Sequence, residues 1–163
     1  MEPGQSRVIP FAIRLPPGTP LSVGGASTAL RTRLDVAGAV DPRDADPVRV
    51  RPSRAMAAVL RGMEEAGFRL VEVEVEHRPR GAQPFVQEFD FRPRSARDWG
   101  IEEVEIAFGP MAGGVEVLLT VNNRGGLFLP GRERSARFHV TDAMADRTDM
   151  AAELRRAIAS LRR

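Results

Sequence analysis

The sequence predicts a mainly β protein, an antiparallel sheet with two α-helices over about 53–66 and 149–162. Three observations point there. Apolar residues alternate with polar ones at period two in five stretches after residue 70. Only two stretches carry a helical period. The chain, 163 residues with 42% hydrophobic and 28% charged side chains, is long enough to bury a core without a disulfide or a metal.

Val8 to Leu15 places Phe11, Ile13 and Leu15 on one face, which predicts a strand with Pro10 at its start or on a sheet edge. Pro16-Pro17-Gly18-Thr19-Pro20 ends it. Leu30, Thr32, Leu34 and Val36 alternate with Arg31, Arg33 and Asp35 in a second strand. Asp41 to Pro47 reads as a turn-rich connection, and Val48 with Val50 as a short strand. Pro52-Ser53 opens the first helix, with Met56, Val59, Leu60 and Met63 as its apolar stripe and Gly67 as its left-handed end. Five strands follow. They centre on Val71–Val75, Phe85–Phe91, Val104–Phe108, Val115–Val121 and Ala136–Val140, with a loop at Asn122–Gly126. Thr148 or Asp149 caps the last helix, whose stripe is Met150, Leu154, Ile158 and Leu161. The pattern describes a sheet with one wet face, strongly acidic at Glu72, Glu74 and Glu76 and again over residues 101–105.

Composition narrows the functions. Arginine supplies all 24 bases, and without lysine or tyrosine the isoelectric point overstates a net charge of only +2. Residues 1–63 carry 9 Arg against 5 acids, residues 64–116 carry 6 against 12, and residues 117–163 carry 9 against 5. That is a bipolar chain rather than a polycation, so nucleic acid is not an expected partner. Cysteine is absent, which excludes thiol catalysis, disulfides and cysteine-ligated metals. No apolar run is long enough to span a membrane, and Met1–Pro20 has no apolar segment of the kind a secretory signal needs. Cytoplasm is the expected location.

No phosphate-binding glycine loop or nucleophile elbow is present. His139 and Asp142 have the spacing of a base and its orienter, as a hydrolase would use, but also that of a surface histidine beside a turn aspartate. Asp41, Asp44 and Asp46 are weak candidates for a cation site. Pro42 and Pro47 interrupt the alternation, and the glycine and distal glutamate of a calcium loop are missing. Glu72, Glu74 and Glu76 share one environment, which suits a solvated face or a partner surface better than general acid–base work. No cofactor is called for.

Three stretches together resemble a known family. Pro10-Phe11 through Leu15-Pro16 to Pro20-Leu21-Ser22 is similar to the strand and turn of arrestin-like proteins. Leu34 to Pro52 resembles the junction between the two arrestin-like sandwiches of bacterial sporulation-control proteins. Leu60–Leu70 and Pro84-Phe85-Val86-Gln87-Glu88-Phe89-Asp90-Phe91 match the same family in the same order. The resemblance covers about residues 8–161 and corresponds to the C-terminal portion of the family, so the N-terminal stretch that builds most of the first sandwich is expected to be absent. It implies an arrestin-like antiparallel β-sandwich architecture in two units, 1–46 supplying the closing strands of a truncated N-terminal arrestin-like sandwich and 47–163 forming a C-terminal arrestin-like domain with both helices. It also implies a non-enzymatic regulatory or scaffold role in sporulation or cell-division control, exerted through protein partners. Strands of 8–40 are then expected to lack partners, so their edges recruit another chain, a second copy included, or leave a partly folded product. The alternative reading is a small-molecule or cation-binding β-sandwich module.

Overall fold

A computed structural model describes residues 7–33, 43–80, 83–95, 99–123 and 132–162. The mainly β, antiparallel architecture with two helices is what it contains. Strands β1 (Thr28–Arg33) and β2 (Arg43–Val48) pair with each other. Helix α1 (Arg54–Glu65) leads into a five-stranded meander, β3 (Phe68–His77), β4 (Phe85–Pro93), β5 (Ile101–Met111), β6 (Gly114–Asn123) and β7 (Arg132–Thr141), and helix α2 (Met150–Leu161) follows.

The register turns sequence alternation into rows across the sheet. Val73, Phe89, Ile106, Leu119 and Ala136 stand side by side on one face. Phe91, Val104 and Val121 form the next row, and Phe108, Val117 and Phe138 another. All of these except Ala136 pack with the two helices and the segment around Leu21 in one hydrophobic core. Gln87 lies on β4 opposite Val75, and its amide holds the backbone of Leu21 at both ends. It accepts from Leu21 N (2.7 Å) and donates from Nε2 to Leu21 O (3.0 Å).

Helix α1 starts at Ser53, whose hydroxyl accepts from Met56 N at 3.2 Å. A second orphan donor, Ala55 N, is taken by Asp142 Oδ1 (3.1 Å), a residue delivered from beyond β7. The other end stops at Ala66, and Gly67 takes φ +99° as expected. Arg155 of α2 donates to Glu65 O (2.6 Å) and Ala66 O (3.4 Å), satisfying the last carbonyls. The apolar stripe read from the sequence holds for Val59 and Met63, whereas Met56 and Leu60 are half-buried. Ala55, Ala58 and Gly62 are buried with them. A Cβ on Gly62 would come within 2.8 Å of Met150 Cγ and 3.0 Å of Leu154 Cδ1, so the missing side chain is what lets the helices meet. Helix α2 is capped by Asp149, which accepts from Ala152 N at 2.9 Å, and buries Met150, Leu154 and Ile158 of the predicted stripe.

The N-terminal third departs from expectation. Residues 8–15 do not form a strand. Val8 is 89% and Phe11 67% exposed, and Ile9, Ile13 and Leu15 are exposed too. Alternation alone does not make a strand: a ladder partner is needed, none of the described strands runs beside this segment, and Pro10 has no N–H to offer. Residues 43–48, read as part of a turn-rich connection, are strand β2 instead, because β1 supplies a ladder and an edge strand tolerates Pro47. Val50 lies past its end, its N–H donating to Ser22 Oγ (3.0 Å). The strand read over 30–36 is seen at 28–33, and residues 34–42 lie outside the described residues; of the loop read at 122–126, Asn122 and Asn123 belong to β6, and residues 124–131 lie outside the described residues.

Candidate functional site

The polar face of the meander is where charge gathers. Register places Glu72, Asp90, Glu105, Thr120 and Ser135 in one row, and Glu74, Glu88, Ala107, Leu118 and Arg137 in the next. Glu72, Glu74 and Glu76 are all exposed along edge strand β3. Of these three, Glu76 alone has an ion pair among the described residues: Arg78 lies 2.6 Å from Glu76 and 3.6 Å from Glu88. Glu72 and Glu74 face Asp90 and Glu88 across the strands, like charge against like. Arg92 answers Glu103 at 2.9 Å at the end of this face.

Asp90 sits at the centre of that repulsion. Partial burial and the carboxylates of Glu103, Glu105, Glu72 and Glu74 push it up to about 6. Burial raises Glu105 as well, opposed by a hydrogen bond from Asn122 Nδ2. The folded state therefore keeps the Asp90 proton to higher pH than the unfolded chain, where it leaves near 4. This contribution favours the fold at acidic pH and is lost as pH rises through about 6. Asp90→Asn should raise stability by about 1 kcal/mol at pH 7.5, allowing for solvent screening of a half-exposed group, and by little at pH 4.5. Denaturation midpoints at the two pH values test this; an equal gain at both would refute the assignment.

The other sequence candidates do not assemble a centre. Asp142 turns to α1 and caps it, while His139 Nε2 lies 3.6 Å from Glu116, so the two do not act on one another as base and orienter. Asp44 and Asp46 stand on β2 opposite Thr32 and Leu30, and Asp44 accepts from Ala45 N at 2.9 Å. Asp41 lies outside the described residues. Among the described residues no group of three or more acidic or histidine side chains has the geometry to hold a metal ion. Trp99 packs against Phe68, ring centres 4.9 Å apart. The cross-strand meeting at Asp90 escaped sequence reasoning, because alternation assigns a face and only the register assigns neighbours.

A helix-backed antiparallel sheet with an open, acidic face defines a mainly β protein that presents its charge on surface rather than in a cleft. The chain belongs to the Spo0M family (SpoOM protein), whose pattern it matches over residues 1–125. It is 36% identical over 128 residues to the sporulation-control protein spo0M of Bacillus subtilis (strain 168), an alignment covering 76% of this chain and 49% of that protein. It is also similar to the crystal structure of Spo0M, sporulation control protein, from Bacillus subtilis. The TM-score there is 0.75 at 29% identity, over 93% of this chain and 66% of that one. The chain thus spans about half the length of the curated relative it matches. No helix among the described residues is long and apolar enough to cross a membrane.

Proposed function

We propose that the protein is a non-enzymatic, cytoplasmic regulator or scaffold in sporulation control, acting by binding other proteins. The observation that carries this reading is its membership of the Spo0M family, a relative of which is named for sporulation control. The acidic face supports a contact role: Glu72, Glu74 and Asp90 are held close together with no ion pair among the described residues, and such carboxylates gain when a basic partner arrives. In the same reading the chain divides into a 1–46 part and a 47–163 part. The separate two-stranded sheet and the exposed apolar segment 8–15 favour recruitment of another chain, a second copy included, at the N-terminal end. A cation-binding module centred on Asp41, Asp44 and Asp46 has no observation to favour it.

Reversing Glu72, Glu74 and Glu76 to arginine tests the acidic face. Affinity capture from a sporulating-cell lysate should fall about tenfold, and capture by the parent chain should weaken as salt is raised. The variant should keep its far-ultraviolet circular dichroism, since all three side chains are exposed. Undiminished capture by a folded triple variant would remove this face from the reading.

A further inference from the structure

The two edges of the five-stranded sheet are built differently. Edge β3 is guarded, with a register break between Leu70 and Glu72 and three glutamates on its outer face. Edge β7 is regular over its whole pairing with β6, has no proline, and no described strand lies beyond it. Along a regular antiparallel edge, alternate residues turn their N–H and C=O groups outward, a template for one more strand.

Beside that edge runs a groove of about 570 Å³ between β7 and α2. Its apolar lining includes Ala136, Phe138, Val140, Met144, Met150 and Ala157. Two methionines make such a lining adaptable to more than one side chain. Arg137 and His139 also border the groove; alternation along β7 turns their side chains to its other face, where they flank a single carboxylate, Glu116, at 3.4 and 3.6 Å. On the α2 side, Arg156 pairs with Glu153 at 2.5 Å. Exposed ion pairs of this kind are worth little and exchange readily for a new partner. Arg134, exposed near the start of the edge, has no ion pair among the described residues.

We infer that β7 and α2 form a docking site for an extended peptide of alternating apolar and acidic residues from a partner protein. The peptide adds as a sixth strand along β7. Its apolar side chains enter the groove under α2, and its acidic ones lie on the other face beside Arg137 and His139. The period-two pattern is required because the two faces of the added strand meet opposite chemistries. This site is separate from the Glu72, Glu74, Glu76 face, which is at the other edge of the sheet and would take a basic partner.

The probe is a fluorescein-labelled peptide of about eight alternating valines and glutamates, titrated into the full chain and followed by polarisation. The expected Kd is below about 100 μM. N-methylation of alternate peptide amides should abolish binding, and peptide saturation should slow hydrogen exchange in β7. Arg137→Glu should weaken binding about fivefold. Ala157→Trp, which fills the groove, should weaken it further, while the Glu72, Glu74, Glu76 triple variant should bind as the parent does. No polarisation change at about 1 mM peptide, with circular dichroism native, would overturn the inference. So would equal binding of the N-methylated peptide, or unchanged affinity of both variants. A dimer of the peptide-free chain with β7 amides already protected would assign the groove to a second copy and overturn it equally.

Discussion

Gly114→Ala should cost the fold about 2–3 kcal/mol, seen as a urea midpoint lowered by roughly 1 M or more. The β5–β6 hairpin closes through Ala112 and Gly113, with Met111 paired to Gly114 and Gly113 at φ +71°. Gly114 is also opposite Thr141 on β7. A Cβ there would run into the carbonyl oxygen of Val140 and lie 2.7 Å from Thr141 Cα. Both obstacles are backbone, so no rotamer change relieves them. Yielding would pull away the chain at 140–142, where Asp142 N donates to Gly113 O (2.9 Å) and Asp142 Oδ1 caps α1. One added methyl thus strains the hairpin and threatens one of the two side-chain contacts at the start of α1, that of Asp142, while Ser53 remains. A variant whose midpoint lies within about 0.3 M of the parent would show that the close approach carries no weight.

Leu154→Ala should be at least as damaging, about 3–4 kcal/mol. Leu154 is fully buried, in the core cluster with Val59, Met63 and the sheet residues, and stands over Gly62. Where a leucine is truncated opposite a larger side chain, the neighbour can lean into the gap. Here the facing residue is a glycine, which has nothing to lean with, so the cavity persists and the cost falls towards the upper part of the usual range. Trp99, the sole tryptophan, rests on buried Phe68 and gives a fluorescence readout of unfolding. A loss under about 1 kcal/mol would mean that the helices re-seat and the glycine contact is soft.

The parts of this fold legible in the sequence are those fixed by local periodicity. Met150, Leu154, Ile158 and Ser53 gave both helices to within a residue or so, and alternation placed all five strands of the meander. What periodicity lacks is the identity of neighbours. Phe11, Ile13 and Leu15 alternate as well as Val71, Val73 and Val75 do, yet only the latter stretch has a ladder beside it. Asp44 and Asp46 look like turn residues until β1 is found opposite them. The candidate site was half visible: Glu72, Glu74 and Glu76 announced an acidic face. Asp90, separated from them in sequence by the β3–β4 turn, became its centre through register. Asp142 suggested chemistry with His139 because a capping role for α1 requires knowing what lies 87 residues earlier.

That last contact has a consequence for synthesis. Both ends of α1 are finished by residues made long after it, Asp142 at one end and Arg155, 90 positions beyond Glu65, at the other. A helix of 12 residues is marginal alone in water, so α1 has little reason to persist when it first emerges. At about 5–20 residues per second, roughly five to twenty seconds separate its appearance from that of Asp142 and Arg155, with Ser53 its one local cap until then. Through that interval the growing meander keeps its apolar face bare. The nascent chain is thus most vulnerable to misassembly between the emergence of the meander and that of α2, and its core closes only once α2 is free to dock.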